Sequence, residues 1–129
     1  MFKIENKKIG GKNPTFIIAE IGINHKGSLS LCKKLVIKAK KAGADAVKLQ
    51  IVSPLYSYCK NTFSYKIFKK NNLTLENLLK IKKFCKKKKI ILFGTPGDFK
   101  SLEMIKKLKF PAIKISSGLV NNYPDRKSV

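Results

Sequence analysis

The fold is decided by the stretch FIIAEIGINHKG, residues 16–27. An apolar segment leads to a single carboxylate, Glu20, and then to a turn rich in glycine and asparagine. This pattern predicts a buried strand over residues 16–21 that ends at a charged side chain. The carboxyl ends of parallel strands carry the chemistry of α/β folds, so Glu20 is a candidate catalytic residue. The alternative is an ion pair at a sheet end, and strand geometry alone leaves both interpretations open.

Three further apolar segments follow, and amphipathic segments separate them. The sequence predicts strands over 46–51, 90–94 and 112–116, helices from Ser28 to about 42, from Thr74 onward and over 98–108, and a short helix near 64–70. Residues 1–13 are expected to be a polar or edge segment with a turn at Gly10-Gly11, and the tail from Asn121 to Val129 is expected to be irregular. Every connection is long enough for a crossover, so four parallel strands alternating with helices are predicted, an α/β fold.

The composition is that of one globular domain. The chain has 129 residues, of which 43% are hydrophobic, and this excludes a disordered chain. No apolar run approaches the about 18 residues of a membrane span, and no secretory signal is recognisable, so we expect a cytoplasmic protein that does not enter a membrane. The three cysteines, Cys32, Cys59 and Cys85, form no CxxC pair, which predicts reduced, structural thiols.

The net charge of +22 suggests nucleic acid or another polyanion as a partner. However, all but one of the 29 basic residues are lysine, whereas recognition of bases and phosphates favours arginine. The lysines are also spread along polar helix faces, with one continuous block at 86–89. We therefore favour a solvated basic surface, and we expect nonspecific polyanion binding at low salt.

Polar side chains lie at the ends of all four predicted strands. They are Glu20, Lys48, Gln50, Thr95, Lys114 and Ser117, which we call the rim site. Because the carboxyl ends of parallel strands meet at one edge, a shared site is predicted there. Ammonium, amide and hydroxyl groups suit a small anion with phosphate and carboxylate groups. Since a buried lysine needs a partner, we expect Glu20 or the ligand to pair with Lys48, whereas Lys114 has the alternative of extending into water.

Four segments occur in a recognisable order. They are AEIGINHKG at 19–27, AGADAVKLQ at 42–50, GTP at 94–96, and PAIKISSG at 111–118 together with Asn122-Tyr123-Pro124. Together they resemble the N-acetylneuraminate (sialic acid) synthase family, which includes the legionaminic and pseudaminic acid synthases. The resemblance implies that residues 1–129 form the N-terminal half of a TIM-type (β/α)8 barrel. The later strands and the family's C-terminal antifreeze-like domain are then absent from this chain.

The resemblance also implies a reaction, in which phosphoenolpyruvate condenses with an N-acetylated amino sugar such as N-acetylmannosamine to give a nonulosonic acid and phosphate. It places Lys48, Gln50, Thr95, Lys114 and Ser117 around phosphoenolpyruvate, and Glu20 near the reacting carbons. It further implies a divalent metal, manganese or magnesium, whose ligands are not in this chain. The only histidine, His25, is expected to be a hydrogen-bonding turn residue.

Two features predict that this chain is inactive alone. Leu119 stands where the family has a glutamate, and four strands do not close a barrel. We expect the inner sheet face, with Ile18, Ala46 and Phe93, to lack its opposite wall, which favours self-association. The competing hypothesis is a noncatalytic basic module that binds phosphate or polyanions.

Overall fold

A computed structural model describes residues 1–121 of the chain. The elements in chain order are β1 (Phe2–Ile4), β2 (Lys7–Ile9), β3 (Ile18–Gly22), α1 (Leu29–Lys41), β4 (Ala46–Ile51), α2 (Pro54–Ser57), α3 (Phe63–Lys70), α4 (Leu75–Lys87), β5 (Ile91–Pro96) and α5 (Phe99–Leu108), followed by a 3-10 turn at Ser117–Leu119. The segment Asn122-Tyr123-Pro124 and the rest of the tail predicted to be irregular lie outside the described residues.

Strands β3, β4 and β5 form a parallel sheet in that order, which confirms the predicted α/β class. Strand β3 begins two residues later than predicted; the Ile17 N–H donates to the side chain of Asp45, although the Ile17 carbonyl also accepts from the Ala46 N–H of β4 at 3.2 Å. The N–H of Ile17 donates to Asp45 Oδ2 at 2.9 Å, and its carbonyl accepts from the Asp45 N–H at 2.9 Å.

The three predicted long helices form, and two of them begin at the predicted capping residues, Ser28 and Thr74. The side-chain oxygens of Ser28, Thr74 and Asp98 accept hydrogen bonds from backbone N–H groups in the first turns of α1, α4 and α5. These three helices cover one sheet face, where Val47, Leu49 and Ile81 are fully or almost fully buried. No helix within residues 1–121 is long and apolar enough to cross a membrane.

The other sheet face is less open than the sequence suggested. Ile18 is 45% exposed, as expected, but Ala46 and Phe93 are 0% and 4% exposed, so the prediction that they lack a covering wall was wrong. Phe16 and Phe110 pack against them from outside the sheet, together with Ile4 and Ala112. Residues flanking the strands therefore form a second small core on this face.

The predicted fourth strand over 112–116 is not formed. The segment runs alongside β5 but makes one parallel bridge, between Gly94 and Ile113, and the Lys114 N–H donates to the Gly94 carbonyl at 3.0 Å. Pro111 has no N–H to contribute, and no described strand pairs with the outer edge of the segment. The segment therefore adds a single bridge to the sheet.

The first residues form more structure than predicted. Strands β1 and β2 pair as an antiparallel hairpin, in which Phe2 is opposite Ile9. The segments are three residues each, which is too short for apolar alternation to mark a strand. An ion pair of 2.8 Å between Lys7 Nζ and Asp45 Oδ1 joins the hairpin to the loop before β4. The hydrogen bonds from Lys7 and from the Ile17 N–H hold the pKa of Asp45 below its usual value.

Two of the three cysteines lie in the core. Cys32 on α1 and Cys85 on α4 are buried free thiols, whereas Cys59 is exposed. Burial raises the pKa of Cys32 to about 11 and that of Cys85 to about 12. Both buried thiols therefore stay protonated at neutral pH and act as small apolar side chains.

Candidate functional site

Three residues of the rim site meet at the carboxyl ends of neighbouring strands. Glu20 lies on β3, Lys48 on β4 and Thr95 on β5. Lys48 Nζ forms an ion pair with Glu20 Oε2 and donates a hydrogen bond to Thr95 Oγ1 at 3.4 Å. The side chain of Lys48 is 15% exposed and that of Glu20 is 54% exposed, so the lysine is largely enclosed while the carboxylate faces solvent.

The strand register produces this arrangement. In the backbone register, Glu20 of β3 lies opposite Lys48 of β4, and Lys48 lies opposite Phe93 of β5. Because side chains alternate along a strand, Lys48 and its neighbour Leu49 point to opposite faces, and Leu49 is fully buried under the helices. A register shift follows Glu20, where Gly22 has a φ of +56° that suits glycine. Strand β3 therefore ends at Gly22, two residues after the carboxylate.

Gln50 lies on the same face of β4 as Lys48, two residues closer to the carboxyl end of the strand. Its register partner is Thr95, and its side chain is exposed. Among the described residues, the Gln50 amide has no hydrogen bond to another side chain. The amide is therefore free to contact a bound molecule at the edge of the Lys48 and Thr95 pair.

Lys114 and Ser117 are not bonded to this cluster through their side chains. Both are exposed, and neither side chain forms a hydrogen bond or ion pair with Glu20, Lys48 or Thr95. The backbone of Lys114 is tied to the carbonyl of Gly94, one residue before Thr95, so the segment runs beside the end of β5. The structure thus joins three of the six rim-site residues directly and places Gln50 next to them in register.

One residue that the sequence interpretation missed holds the loops around the rim site. Asp98 Oδ2 accepts hydrogen bonds from the Ser53 N–H at 2.7 Å and from the Ser57 hydroxyl at 2.8 Å, and Oδ1 accepts from the Ser101 N–H at 2.8 Å. Asp98 therefore links the loop after β4 to the start of α5. The spacing of Asp98 and Ser101, which bond each other reciprocally as a capping box, was the available signal.

Gly97 allows these loops to approach closely. Its N–H donates to the Ile51 carbonyl at 2.9 Å, and a Cβ atom at this position would lie 2.7 Å from Val52 Cγ2. Real Cβ contacts are essentially never so short. A residue without a side chain is therefore required where the ends of β4 and β5 meet.

His25 lies in the turn that follows β3. It is 2% exposed, and its Nδ1 accepts a hydrogen bond from the Gly27 N–H at 3.1 Å, as expected for a turn residue. Burial lowers the pKa of His25, so the imidazole is neutral at pH 7. Within residues 1–121, no group of three or more His, Cys, Asp or Glu side chains is arranged to hold a metal ion.

Comparison with known proteins extends over most of the chain. The NeuB family model matches residues 35–126. An uncharacterized protein of Methanocaldococcus jannaschii is 39% identical over 122 residues, which cover 95% of this chain and 36% of that protein. The N,N'-diacetyllegionaminic acid synthase of Legionella pneumophila is 34% identical over an alignment of 139 positions, which covers 92% of this chain and 39% of the relative.

A solved structure shows the same fold. The crystal structure of an N-acetylneuraminic acid (sialic acid) synthetase from Leptospira borgpetersenii, in complex with citrate, superposes with a TM-score of 0.91 at 33% identity. The superposition covers 98% of this chain and 45% of that one, and the chain spans less than half the length of each of these relatives. The parallel sheet and its helices are accordingly part of a TIM-type (β/α)8 barrel, which confirms the predicted fold.

Proposed function

Because the chain belongs to the NeuB family, we propose that it forms the phosphoenolpyruvate-binding part of a barrel synthase that makes a nonulosonic acid. The second substrate in this proposal is an N-acetylated amino sugar such as N-acetylmannosamine. The observation that carries the proposal is the contact of Lys48 with both Glu20 and Thr95 at the carboxyl ends of three parallel strands.

Lys48 is proposed to hold the anionic substrate. An ammonium group has three N–H donors, and Glu20 and Thr95 engage two of them. The third donor remains for a phosphate or carboxylate oxygen of phosphoenolpyruvate. Because the lysine is largely enclosed, its charge is screened less by water than that of a surface lysine, which strengthens a contact to an anion.

Gln50, Thr95, Lys114 and Ser117 are proposed to complete the substrate site. The Gln50 amide and the Thr95 hydroxyl lie side by side in register, so they can contact one anion together with Lys48. Lys114 and Ser117 would add a second cation and a second hydroxyl from the segment beside β5.

Glu20 is proposed to act on the sugar. Its carboxylate is more than half exposed beside the enclosed lysine, so one oxygen remains for a sugar hydroxyl or for a proton during attack on the aldehyde. A carbon–carbon bond forms between the methylene carbon of phosphoenolpyruvate and the aldehyde carbon, whose oxygen takes up a proton. Water then adds at the phosphate-bearing carbon, and phosphate leaves as the C–O bond breaks.

No described residue is assigned to the divalent metal, manganese or magnesium, that the resemblance suggests. Such ions need several oxygen or imidazole ligands, and residues 1–121 contain no group of three or more His, Cys, Asp or Glu side chains arranged to hold one. His25 is buried, and its Nδ1 is occupied by the Gly27 N–H. The described residues therefore do not fit a metal centre.

A titration separates this proposal from a basic polyanion-binding module, which the net charge of +22 favours. The chain is titrated with phosphoenolpyruvate and with random-sequence RNA at about 0.15 M salt, where surface charges are screened beyond about 8 Å. We expect saturable phosphoenolpyruvate binding and RNA binding that falls steeply as salt rises. RNA binding that survives this salt, without a phosphoenolpyruvate response, would favour the module.

The 129 residues assayed alone are proposed not to catalyse the condensation. Leu119 supplies no polar group where the resembled family has a glutamate, and the described residues supply no metal centre. A phosphate-release assay with phosphoenolpyruvate, with and without an N-acetylated amino sugar, tests this. Phosphate release that depends on the sugar would show that the chain is an active enzyme by itself.

A further inference from the structure

A second basic cleft lies at the opposite end of the sheet from the rim site. It has a volume of about 610 Å³ and is bounded by the β1–β2 turn, the starts of β4 and β5, and the carboxyl ends of α1, α4 and α5. We call it the amino-end cleft. Its lysines are Lys7, Lys40, Lys82, Lys86, Lys89 and Lys109, and its carboxylates are Glu5 and Asp45.

The cleft has more cations than its own groups use. Six lysines face two carboxylates, an excess of four positive charges. Lys7 pairs with Asp45, and the ammonium groups of Lys40 and Lys82 donate to backbone carbonyls at 3.0 and 2.5 Å. The latter two bonds satisfy carbonyls at helix ends, where the helix dipole is negative.

Three ammonium groups remain without a partner. Those of Lys86, Lys89 and Lys109 make no hydrogen bond or ion pair with any residue of the described range 1–121. Their charges are therefore available to an anion that enters the cleft.

The backbone at two of these lysines is in a conformation that lysine rarely adopts. After α1 the left-handed position is occupied by a glycine, Gly43, with a φ of +85°. After α4 and α5 the equivalent positions are Lys89 and Lys109, with φ of +53° and +48°. A residue with a Cβ is disfavoured there, and within residues 1–121 neither ammonium group makes a hydrogen bond or ion pair that offsets this. Both positions instead present a cation to the same cleft.

We propose that the amino-end cleft binds an anion with two or more linked phosphate groups, either as free polyphosphate or as the phosphates of a nucleotide. A single phosphate would not balance four excess charges. Lysines are point charges on flexible stems, which suits a chain of phosphates better than a planar carboxylate. The volume lies within the range of about 300–1,000 Å³ that is typical of small-molecule sites. The proposal does not depend on the rim site.

The first test is calorimetric titration of the chain with sodium tripolyphosphate at about 0.15 M salt. The variant Lys86→Gln/Lys109→Gln is compared with Lys87→Gln/Lys107→Gln, which removes the same charge from exposed neighbours outside the cleft. We expect at least a tenfold loss of affinity in the first variant and less than twofold in the second. ATP that binds more tightly than tripolyphosphate would identify the nucleotide form, and equal affinities would identify free polyphosphate. Equal losses in both variants would overturn the proposal.

The second test uses the unaltered chain, so it does not depend on how a variant folds. Amide chemical shifts are recorded by NMR during the same titration. We expect the amides of Lys89 and Lys109 to shift at lower tripolyphosphate concentration than those of Lys48 and Thr95. Shifts confined to the rim site, or spread evenly over the basic surface, would overturn the proposal.

Discussion

Replacing Lys48 by methionine separates a substrate-binding lysine from a structural ion pair. Methionine keeps most of the volume and removes the charge. Glu20 is 54% exposed, so without Lys48 its carboxylate stays hydrated, and the lost pair accounts for at most about 1 kcal/mol of folding free energy. The bond to Thr95 is 3.4 Å long and contributes little. We therefore expect the free energy of unfolding of Lys48→Met to differ from that of the unaltered chain by less than about 1 kcal/mol.

Phosphoenolpyruvate affinity should change by more than stability. A hydrogen bond to a charged group contributes about 1.5–3 kcal/mol, and about 1.4 kcal/mol corresponds to a tenfold change in Kd. Loss of the Lys48 ammonium should therefore weaken phosphoenolpyruvate binding at least about tenfold. Calorimetry gives the affinity, and urea unfolding gives the stability.

The control is Lys83→Met, which removes an exposed lysine from α4 and leaves the rim site intact. We expect it to change neither quantity appreciably. If Lys48→Met instead lowers the free energy of unfolding by more than about 2 kcal/mol and leaves phosphoenolpyruvate affinity unchanged, Lys48 is a structural residue and the rim-site proposal is refuted.

Three further predictions concern packing, pH and association. Gly97→Ala places a Cβ 2.7 Å from Val52 Cγ2, so the free energy of unfolding, measured in urea, should fall by about 1–3 kcal/mol. If Gly97→Ala costs the same when Val52→Ala is also present, the clash with Val52 is not the cause. Burial lowers the pKa of His25 below its unfolded value of 6.5, so proton binding favours the unfolded state and the free energy of unfolding should fall as pH drops below about 6.5. The variant His25→Gln should lose this pH dependence. Equal pH dependence in both proteins would show that His25 is not its cause. Ile18 is 45% exposed on the edge strand β3, so the chain should sediment as a species heavier than its monomer mass of 14.5 kDa. The variant Ile18→Lys should sediment as a monomer. If the unaltered chain is also a monomer, self-association is contradicted.

The sequence by itself determined the order and type of the main elements. The strand over 46–51 and the helices that begin after Ser28 and Thr74 form where apolar periodicity and capping residues predicted them. These signals are local, because a cap bonds to the next helical turn and the side-chain period follows from backbone geometry. The shared face of Lys48 and Gln50 was predictable for the same reason.

Only the tertiary structure decided which of these groups meet. Lys48 and Thr95 are 47 residues apart, and their contact depends on the register of β4 against β5. The cover over Phe93 likewise comes from Phe16 and Phe110, which lie outside the sheet. The segment around Ile113 has a strand's sequence pattern but forms a single bridge to β5. Periodicity sets how a segment is built, whereas contacts between distant segments depend on packing that a local pattern does not encode.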